Sequence, residues 1–503
     1  MRTRNRDELR LDFEQLRQPD RGKKRIKSAL KKQESNLAAY LAPWYEQSKE
    51  NSHVYPSQGL LVTPYDYLNY QSLQLLPQET IVKTLRLRRF FLELFNHPYR
   101  TSYLQQVSRQ KFTAPSAVAN KAIEFAQKAG MSLAVGDLGA VVIGASKARI
   151  SRTDRFAQGP FVKLGRQGRH IFVGSSSPDV WNSAAAIATM AASQCLAGIP
   201  RNGVLSDISR QAEVAKETFV WLKRLAKEIL PNRSDATWIK RAWRNNVMGT
   251  VEAAPEKAVE RASALYEVGV RCFRVYSPEP GTGPGETVVA LRKKFGQSVE
   301  IFAGQVVEVE QAQKLEAAGA DGLFVGIGGG GRCITGIRSC SAVDWPELVW
   351  RLRGQIKIPV IAEGGASDHI AVSLLLGASG ISVSRVVAGG TIESPGGALF
   401  CADAHGHLFK PYGGEASART KYLDGKLLPF DIPAFVEGET TEARMTYVKF
   451  VYPTLTYNLH LLIEDAILAL VFRGANDTRQ LQALNPSPLR WITSSGNFAM
   501  NTH

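Results

Sequence analysis

Cysteine is scarce in this chain, and the few residues present are scattered. Five cysteines, at 195, 272, 333, 340 and 401, form no Cys-x-x-Cys pair and no regular framework, which excludes a spacing-encoded zinc site or disulfide scaffold. Long apolar runs are missing too. Those near Ile361 and Leu461 are short and broken by charge, below the ~18–20 residues that a membrane-spanning helix requires. Behind the opening Met-Arg-Thr-Arg-Asn-Arg stand acidic residues and no apolar core, unlike a secretory signal. The expectation is a cytoplasmic protein with no membrane association. A Gly-x-Gly-x-x-Gly turn opening an early βαβ unit is also lacking, which disfavours a dinucleotide-binding doubly wound sheet. Acid is in deficit: 62 Lys and Arg face 46 Asp and Glu, a formal charge of +16. Part of the excess lies in Arg21-Gly-Lys-Lys-Arg-Ile-Lys-Ser-Ala-Leu-Lys-Lys32. Such a run suits a solvated helical or extended tail first, with contact to nucleic acid or an anionic surface as the alternative. No aromatic-interleaved RNA motif or zinc finger accompanies it.

What is present is an ordinary globular balance, 44% hydrophobic and 21% charged, in a chain long enough for one large domain with appendages. Up to about residue 130 there is no strand–glycine–helix rhythm. Helical segments such as Asp7–Leu16 and Gln78–Leu94 flank a tyrosine-rich, proline-punctuated stretch, Tyr55–Tyr70. Residues 1–130 therefore read as a basic, mostly helical extension, and residues 131–503 as the barrel domain. From Leu133 onward, short β-rich runs ending in Gly, Ser or Asp alternate with helical patterns. The predicted strands are Ala140–Ile143, His170–Gly174, Gly203–Ser206, Val247–Val251, Val270–Ser277, Val299–Gln305, Gly322–Gly326, Pro359–Gly364 and Gly380–Ser384. So many consecutive β–α units predict an α/β fold, a (β/α)8 TIM barrel with the helical N-terminal extension, whose chemistry collects at the C-terminal strand ends.

Three of those ends carry chemistry. In Gly322-Leu-Phe-Val-Gly-Ile-Gly-Gly-Gly-Gly-Arg-Cys-Ile-Thr335 a buried strand breaks into glycines and then a cysteine. A backbone without Cβ atoms lets carbonyls and N–H groups approach an ion or phosphate closely. Cys333 is the cysteine placed for chemistry, within a loop over 326–337. Pro359-Val-Ile-Ala-Glu-Gly-Gly365 ends the next strand in an acid and two glycines, and Gly380-Ile-Ser-Val-Ser-Arg385 ends the last in Ser384 and Arg385. Loops after the seventh and eighth barrel strands commonly bind phosphate through backbone N–H groups. An acid there suits sugar hydroxyls, and an arginine suits a phosphate fork. A surface acid and a salt-bridge arginine are the plainer reading of Glu363 and Arg385.

These segments, in this order, resemble the IMP dehydrogenase/GMP reductase family. The similarity extends to Ala388-Gly-Gly-Thr-Ile-Glu-Ser-Pro-Gly396, to Phe409-Lys-Pro-Tyr-Gly-Gly-Glu-Ala-Ser417, and to Leu489-Arg-Trp-Ile-Thr-Ser-Ser-Gly496, which is closest to the dehydrogenases. The resemblance implies NAD-dependent oxidation of IMP to XMP through a Cys333 thioimidate, in guanine nucleotide biosynthesis. It implies Thr335, Lys421 and Tyr422 as further catalytic residues, the latter two in place of the family's Arg-Tyr pair. For the purine nucleoside monophosphate substrate it implies Gly331, Glu363, Gly364, Gly365, Ser384, Arg385, Tyr412, Gly414, Glu415 and Glu437. For NAD it implies Tyr276, Ser277, Gln305, Gly326 and Gly328. Backbone carbonyls of Gly328, Gly330 and Cys333 would hold a monovalent cation such as potassium. A homotetramer is expected, without the paired regulatory modules, because Ile208–Asn246 leaves too little room for them.

The chain departs from the family at several points. Gly331 stands for a phosphate-binding serine, Ser384-Arg385 for Gly-Ser, Glu363 for an aspartate and Gln305 for an asparagine. Val275-Tyr-Ser-Pro-Glu279 replaces an Asp and a following His-Gly pattern, and the flap, about residues 413–440, is short. A GMP reductase-like enzyme and a non-catalytic purine-nucleotide-binding scaffold are the alternatives, followed by a flavin-dependent barrel.

Overall fold

The computed structural model describes residues 72–140, 152–277, 281–326, 345–438, 440–444 and 453–501. The basic run, the Asp7–Leu16 segment and the tyrosine-rich stretch lie outside them, as do Gly328, Gly330, Gly331, Cys333 and Thr335. The described chain enters through β1 (Ser72–Leu75) and a helix over Gln78–Phe95. That helix buries Ile81, Leu85, Leu92 and Phe95, the three-and-four spacing of one apolar face. After a second helix, Pro98–Arg109, come β2 (Leu138–Ala140) and an antiparallel hairpin, β3 (Phe161–Leu164) and β4 (Gln167–His170).

The barrel follows. Its strands are β5 (Phe172–Gly174), β6 (Ala197–Ile199), β7 (Val247–Val251), β8 (Cys272–Tyr276), β9 (Glu300–Val306), β10 (Gly322–Val325), β11 (Val360–Ala362) and β12 (Gly380–Val383). They form one parallel sheet in the order β5-β12-β11-β10-β9-β8-β7-β6. Gly174 N–H donates to Leu196 O at 2.7 Å and closes the ring beside β6. Strands covered on both faces must be apolar along their whole length, and β6, β7, β9, β10, β11 and β12 are buried throughout. The fold is a (β/α)8 TIM barrel. At its N-terminal mouth, Arg169 of β4 reaches the Glu300 carboxylate at the start of β9 at 2.7 Å, with both side chains buried.

One predicted strand is elsewhere. Gly203–Leu205 is a single 3-10 turn, and the second barrel strand is Ala197–Ile199. A strand of Ala-Gly-Ile lacks the β-branched run that marks its neighbours. Its glycine is required by non-local geometry, since a Cβ on Gly198 would meet the carbonyl oxygens of Gly174 and Ser175 at 3.0 Å. Between β6 and β7 the chain forms two helices, Ile208–Ile229 and Ala236–Asn245.

After the barrel, β13 (Leu399–Ala402), β14 (Leu408–Gly413), the small pair β15 (Leu427–Leu428) and β16 (Ile432–Pro433), β17 (Thr440–Arg444) and β18 (Leu489–Trp491) complete the chain. A four-stranded sheet runs β1-β13-β14-β17, so the N-terminal strand docks on the segment that leads to the site. β18 pairs antiparallel with β2. Two buried ionisable side chains pin these additions. Lys410 of β14 donates to the carbonyls of Thr391 (2.7 Å), Gly397 (2.8 Å) and Ser394 (3.2 Å) and to Ser394 Oγ. Glu393 accepts from Thr454 Oγ1 at 2.6 Å and faces Arg88 at 3.3 Å, tying the Gln78–Phe95 helix to the post-barrel segment. The helix Leu455–Arg473 is long and apolar enough to cross a membrane, but Leu459, Ile463, Ala466 and Leu470 are buried inside the protein.

Candidate active site

The C-terminal strand ends open into a pocket of about 320 Å³. Successive residues of a strand point to opposite faces, and along β8 this directs Arg274 and Tyr276 toward the pocket, where both are found. Arg274 is fully buried within the barrel. Its Nη2 lies 2.6 Å from Glu363 Oε2 and its Nη1 lies 3.2 Å from Glu363 Oε1. The guanidinium sits over the rings of Phe324 (4.1 Å) and Tyr276 (4.6 Å), contacts that suit a planar delocalised cation. Burial works against the charge on Arg274, but the Glu363 carboxylate, with Tyr276 and Glu415 behind it, holds its pKa above the ordinary value.

Two further donors reach the same carboxylate. Gln305 Nε2 donates to Glu363 Oε2 at 2.7 Å, and Ser382 Oγ donates to Oε1 at 3.0 Å. Glu363 follows β11, Gln305 lies in β9 and Ser382 in β12. Three strands and the turn after a fourth therefore converge on one acid. Gly326, at the end of β10, has φ +130°, and a Cβ there would collide with the Glu363 carbonyl oxygen. Only glycine meets both demands, and this fixes the start of the glycine loop against the β11 turn. Gly364 and Gly365 continue that turn at φ 84° and 83°.

On another side, Ser384 ends β12 and begins a single helical turn with Arg385, and Tyr412 of β14 donates its hydroxyl to Ser384 Oγ at 3.3 Å. Beyond Tyr412, Glu415 accepts from Asn202 Nδ2. Burial raises the Glu415 pKa above the usual carboxylate range, although Arg201 and Arg274 pull it down. Burial, with Glu415 and Glu363 next in weight, likewise pushes the Tyr276 phenol up. The loop carrying Glu415 is fastened from below. Asp179, just after β5, accepts from Gly413 N at 2.7 Å and from Arg419 Nε at 2.9 Å, and both charged side chains are 1% exposed. A Cβ on Gly413 would fall 3.0 Å from Asp179 Oδ2, so glycine permits the approach.

Of the residues implicated from sequence, Glu363, Gly364, Gly365, Ser384, Arg385, Tyr412, Gly414, Glu415 and Glu437 all line this pocket, as do Tyr276, Gln305 and Gly326. Ser277 stands behind the wall, exchanging backbone hydrogen bonds with Gly304 and Gln305. Lys421 and Tyr422 lie one turn into a short helix, Ala418–Leu423, and do not line the pocket. Lys421 is near enough to Glu415 and Glu437 to feel their charge, while burial, then Lys426, lowers its pKa. Sequence reasoning missed Arg274, Ser176, Ser382, Asp179 and Asn202. A signal existed for the first: an arginine at an alternate position inside Val270-Arg-Cys-Phe-Arg-Val-Tyr276 is out of place in a barrel strand unless it has a buried partner.

Comparison with known proteins agrees with this geometry. The IMP dehydrogenase / GMP reductase domain matches residues 119–457. The chain belongs to this family. As an IMP dehydrogenase / GMP reductase family member it is 34% identical over 191 residues to inosine-5'-monophosphate dehydrogenase 1 of Arabidopsis thaliana, covering 36% of this chain and 37% of that protein. It is 32% identical over 207 residues to the inosine-5'-monophosphate dehydrogenase of Aquifex aeolicus, covering 38% and 41%. With the enzyme of Schizosaccharomyces pombe it shares 36% over 141 residues, 27% of each chain. The matched segments thus span less than half the length of these relatives.

Proposed function

We propose that this family member is an IMP dehydrogenase-type oxidoreductase that binds a purine nucleoside monophosphate and oxidises IMP to XMP with NAD. The observation that carries the reading is the convergence on one pocket of the Gly364-Gly365 turn, Ser384, Arg385 and the half-buried Glu415, with Gly326 leading into the cysteine loop. A guanidinium and backbone N–H groups suit the phosphate. Glu415, whose pKa burial raises, suits the edge of a purine base as a hydrogen-bonding partner.

In this reading the Cys333 thiolate adds to C2 of the purine, and hydride loss from that carbon leaves a sulfur–carbon bond that water cleaves, returning the thiol and releasing XMP. Thr335 and Tyr422 help position the water. Lys421, which stands for the family's arginine, would take its proton, although its helix, Ala418–Leu423, lies outside the pocket lining. NAD supplies the hydride acceptor when bound. Gln305 Oε1 is buried and has no partner among the described residues, and an orphan acceptor at this place fits an amide donor such as a nicotinamide carboxamide. The carbonyls of Gly328, Gly330 and Cys333 would hold the potassium ion that steadies the loop, and a homotetramer in the cytoplasm is the form in which we expect the enzyme to work.

The test is incubation of the purified chain with IMP, NAD and potassium, recording NADH absorbance and intact mass. NADH together with a nucleotide adduct mapping to Cys333 is the expected result. Neither signal, in protein shown to be folded, would overturn the reading, whereas ammonia release from GMP with NADPH would assign the chain to the reductase branch.

A further inference from the structure

We propose that the outer face of the two helices between β6 and β7 binds single-stranded nucleic acid. None of the residues concerned lines the pocket at the strand ends, so this surface stands apart from the reading given to that pocket.

The two helices repeat one pattern. Trp221-Leu-Lys-Arg-Leu-Ala-Lys227 lies in the helix Ile208–Ile229, and Trp238-Ile-Lys-Arg-Ala-Trp-Arg244 in the helix Ala236–Asn245. In each, a tryptophan is followed two, three and six positions later by a cation. The intervening Leu222, Leu225 and Ala226 on the first helix, and Ile239, Ala242 and Trp243 on the second, are buried. At about 3.6 residues per turn this turns Lys223, Arg224, Lys227, Lys240, Arg241 and Arg244 to solvent, and all six are exposed. The helices lie side by side. The Arg244 guanidinium sits 5.1 Å from the ring centre of Phe219, about one turn before Lys223.

The charge on this face is unbalanced. None of the six cations has an ion-pair partner among the described residues. Asp235, one of two acids within residues 219–246, is already held by Arg233 at 2.6 Å. Lys223 and Lys227, like Lys240 and Arg244, are equal charges four residues apart, a spacing that costs helix stability and is relieved by an anionic partner. Trp221 and Trp238 are half-buried among these cations, and Arg224 lies over the Trp221 ring at 5.4 Å. Trp238 and Arg241 share an open cleft with Gln105, Ser234, Asp235 and Thr237. An indole, a guanidinium and neutral polar groups together suit the face, the phosphate and the edge of an unpaired nucleotide.

The same features disfavour a lipid surface. Val220 is the one large hydrophobic residue exposed on these helices, so there is no apolar face to insert. Duplex nucleic acid fits less well than a single strand, because its base faces are stacked away from an indole.

The test is fluorescence anisotropy of the full chain with a labelled oligouridylate of about 12 nucleotides, with duplex RNA and phosphatidylserine vesicles alongside. We expect an affinity that falls with salt at a log–log slope of about −4, from six phosphate contacts at about −0.7 each. Lys240→Gln/Arg241→Gln/Arg244→Gln should halve the slope and weaken binding by roughly tenfold or more at about 0.1 M salt. Trp238→Ala should weaken binding by about tenfold at an unchanged slope, since stacking releases no counterions. The charge changes are all on exposed positions and remove like-charge repulsion, so they keep the test decisive if Trp238→Ala disturbs folding. The Arg21–Lys32 run is also basic; binding that both the 240–244 variant and Lys223→Gln/Arg224→Gln/Lys227→Gln leave unchanged assigns the nucleic acid to that run and overturns the proposal. Tighter binding to duplex than to the single strand, binding to vesicles alone, or no binding by folded protein overturns it as well.

Discussion

Arg274 Nη2 and Glu363 Oε2 stand 2.6 Å apart inside the barrel, although 89 residues separate them along the chain. A buried cation from one strand and an acid from the turn after another make a floor for the pocket that is rigid and electrically closed. Strain or loss at either partner is felt through the other.

Removing one partner should therefore cost more than removing both. Arg274→Leu strands a mostly buried carboxylate, and a stability loss of about 3 kcal/mol is expected. The double variant Arg274→Leu/Glu363→Leu should recover a good part of that loss. Urea unfolding of the two single variants and the double variant gives the coupling.

Asp179 and Arg419 form another buried pair, and it fastens the loop bearing Glu415 to the barrel. Asp179→Asn keeps shape but removes the charge. We expect faster amide hydrogen exchange over residues 413–423 with little change in the barrel strands, because the segment opens locally when its anchor weakens. Uniform protection across that segment would show that the loop is held by other contacts.

Gly326→Ala introduces a Cβ into the Glu363 carbonyl at a φ of +130°. Both faults act together, so a loss of at least about 2 kcal/mol is expected, together with weakened nucleotide binding. Thermal unfolding and titration with IMP would measure the two effects.

The pH dependence follows from Glu415, whose folded-state pKa is raised by burial. An acid that binds its proton more tightly when folded contributes most stability below its unfolded pKa of about 4.3. That contribution is lost as pH rises through the higher folded-state value. Glu415→Gln is neutral throughout. It should flatten this part of the stability–pH curve and leave the variant relatively more stable above that range, as followed by denaturant midpoints between pH 4 and pH 8.

Much of the barrel and much of the candidate site are written locally in the sequence. β-rich runs alternate with helical faces, and turns such as Glu363-Gly364-Gly365 and Ser384-Arg385 carry their glycines and charges at the strand ends, where short-range chemistry makes them legible. A short Ala-Gly-Ile strand has no such signature, and β6 is a strand only because β5 and β7 lie beside it. The four donors on Glu363 were equally hidden. Alternation along β8 says that Arg274 shares a face with Tyr276, but parallel strands pair across long stretches of chain, and only closure of the barrel decides what a buried side chain meets. The residue types at the site were determined by the sequence; the tertiary structure decided which donors from β8, β9 and β12 meet the acid after β11.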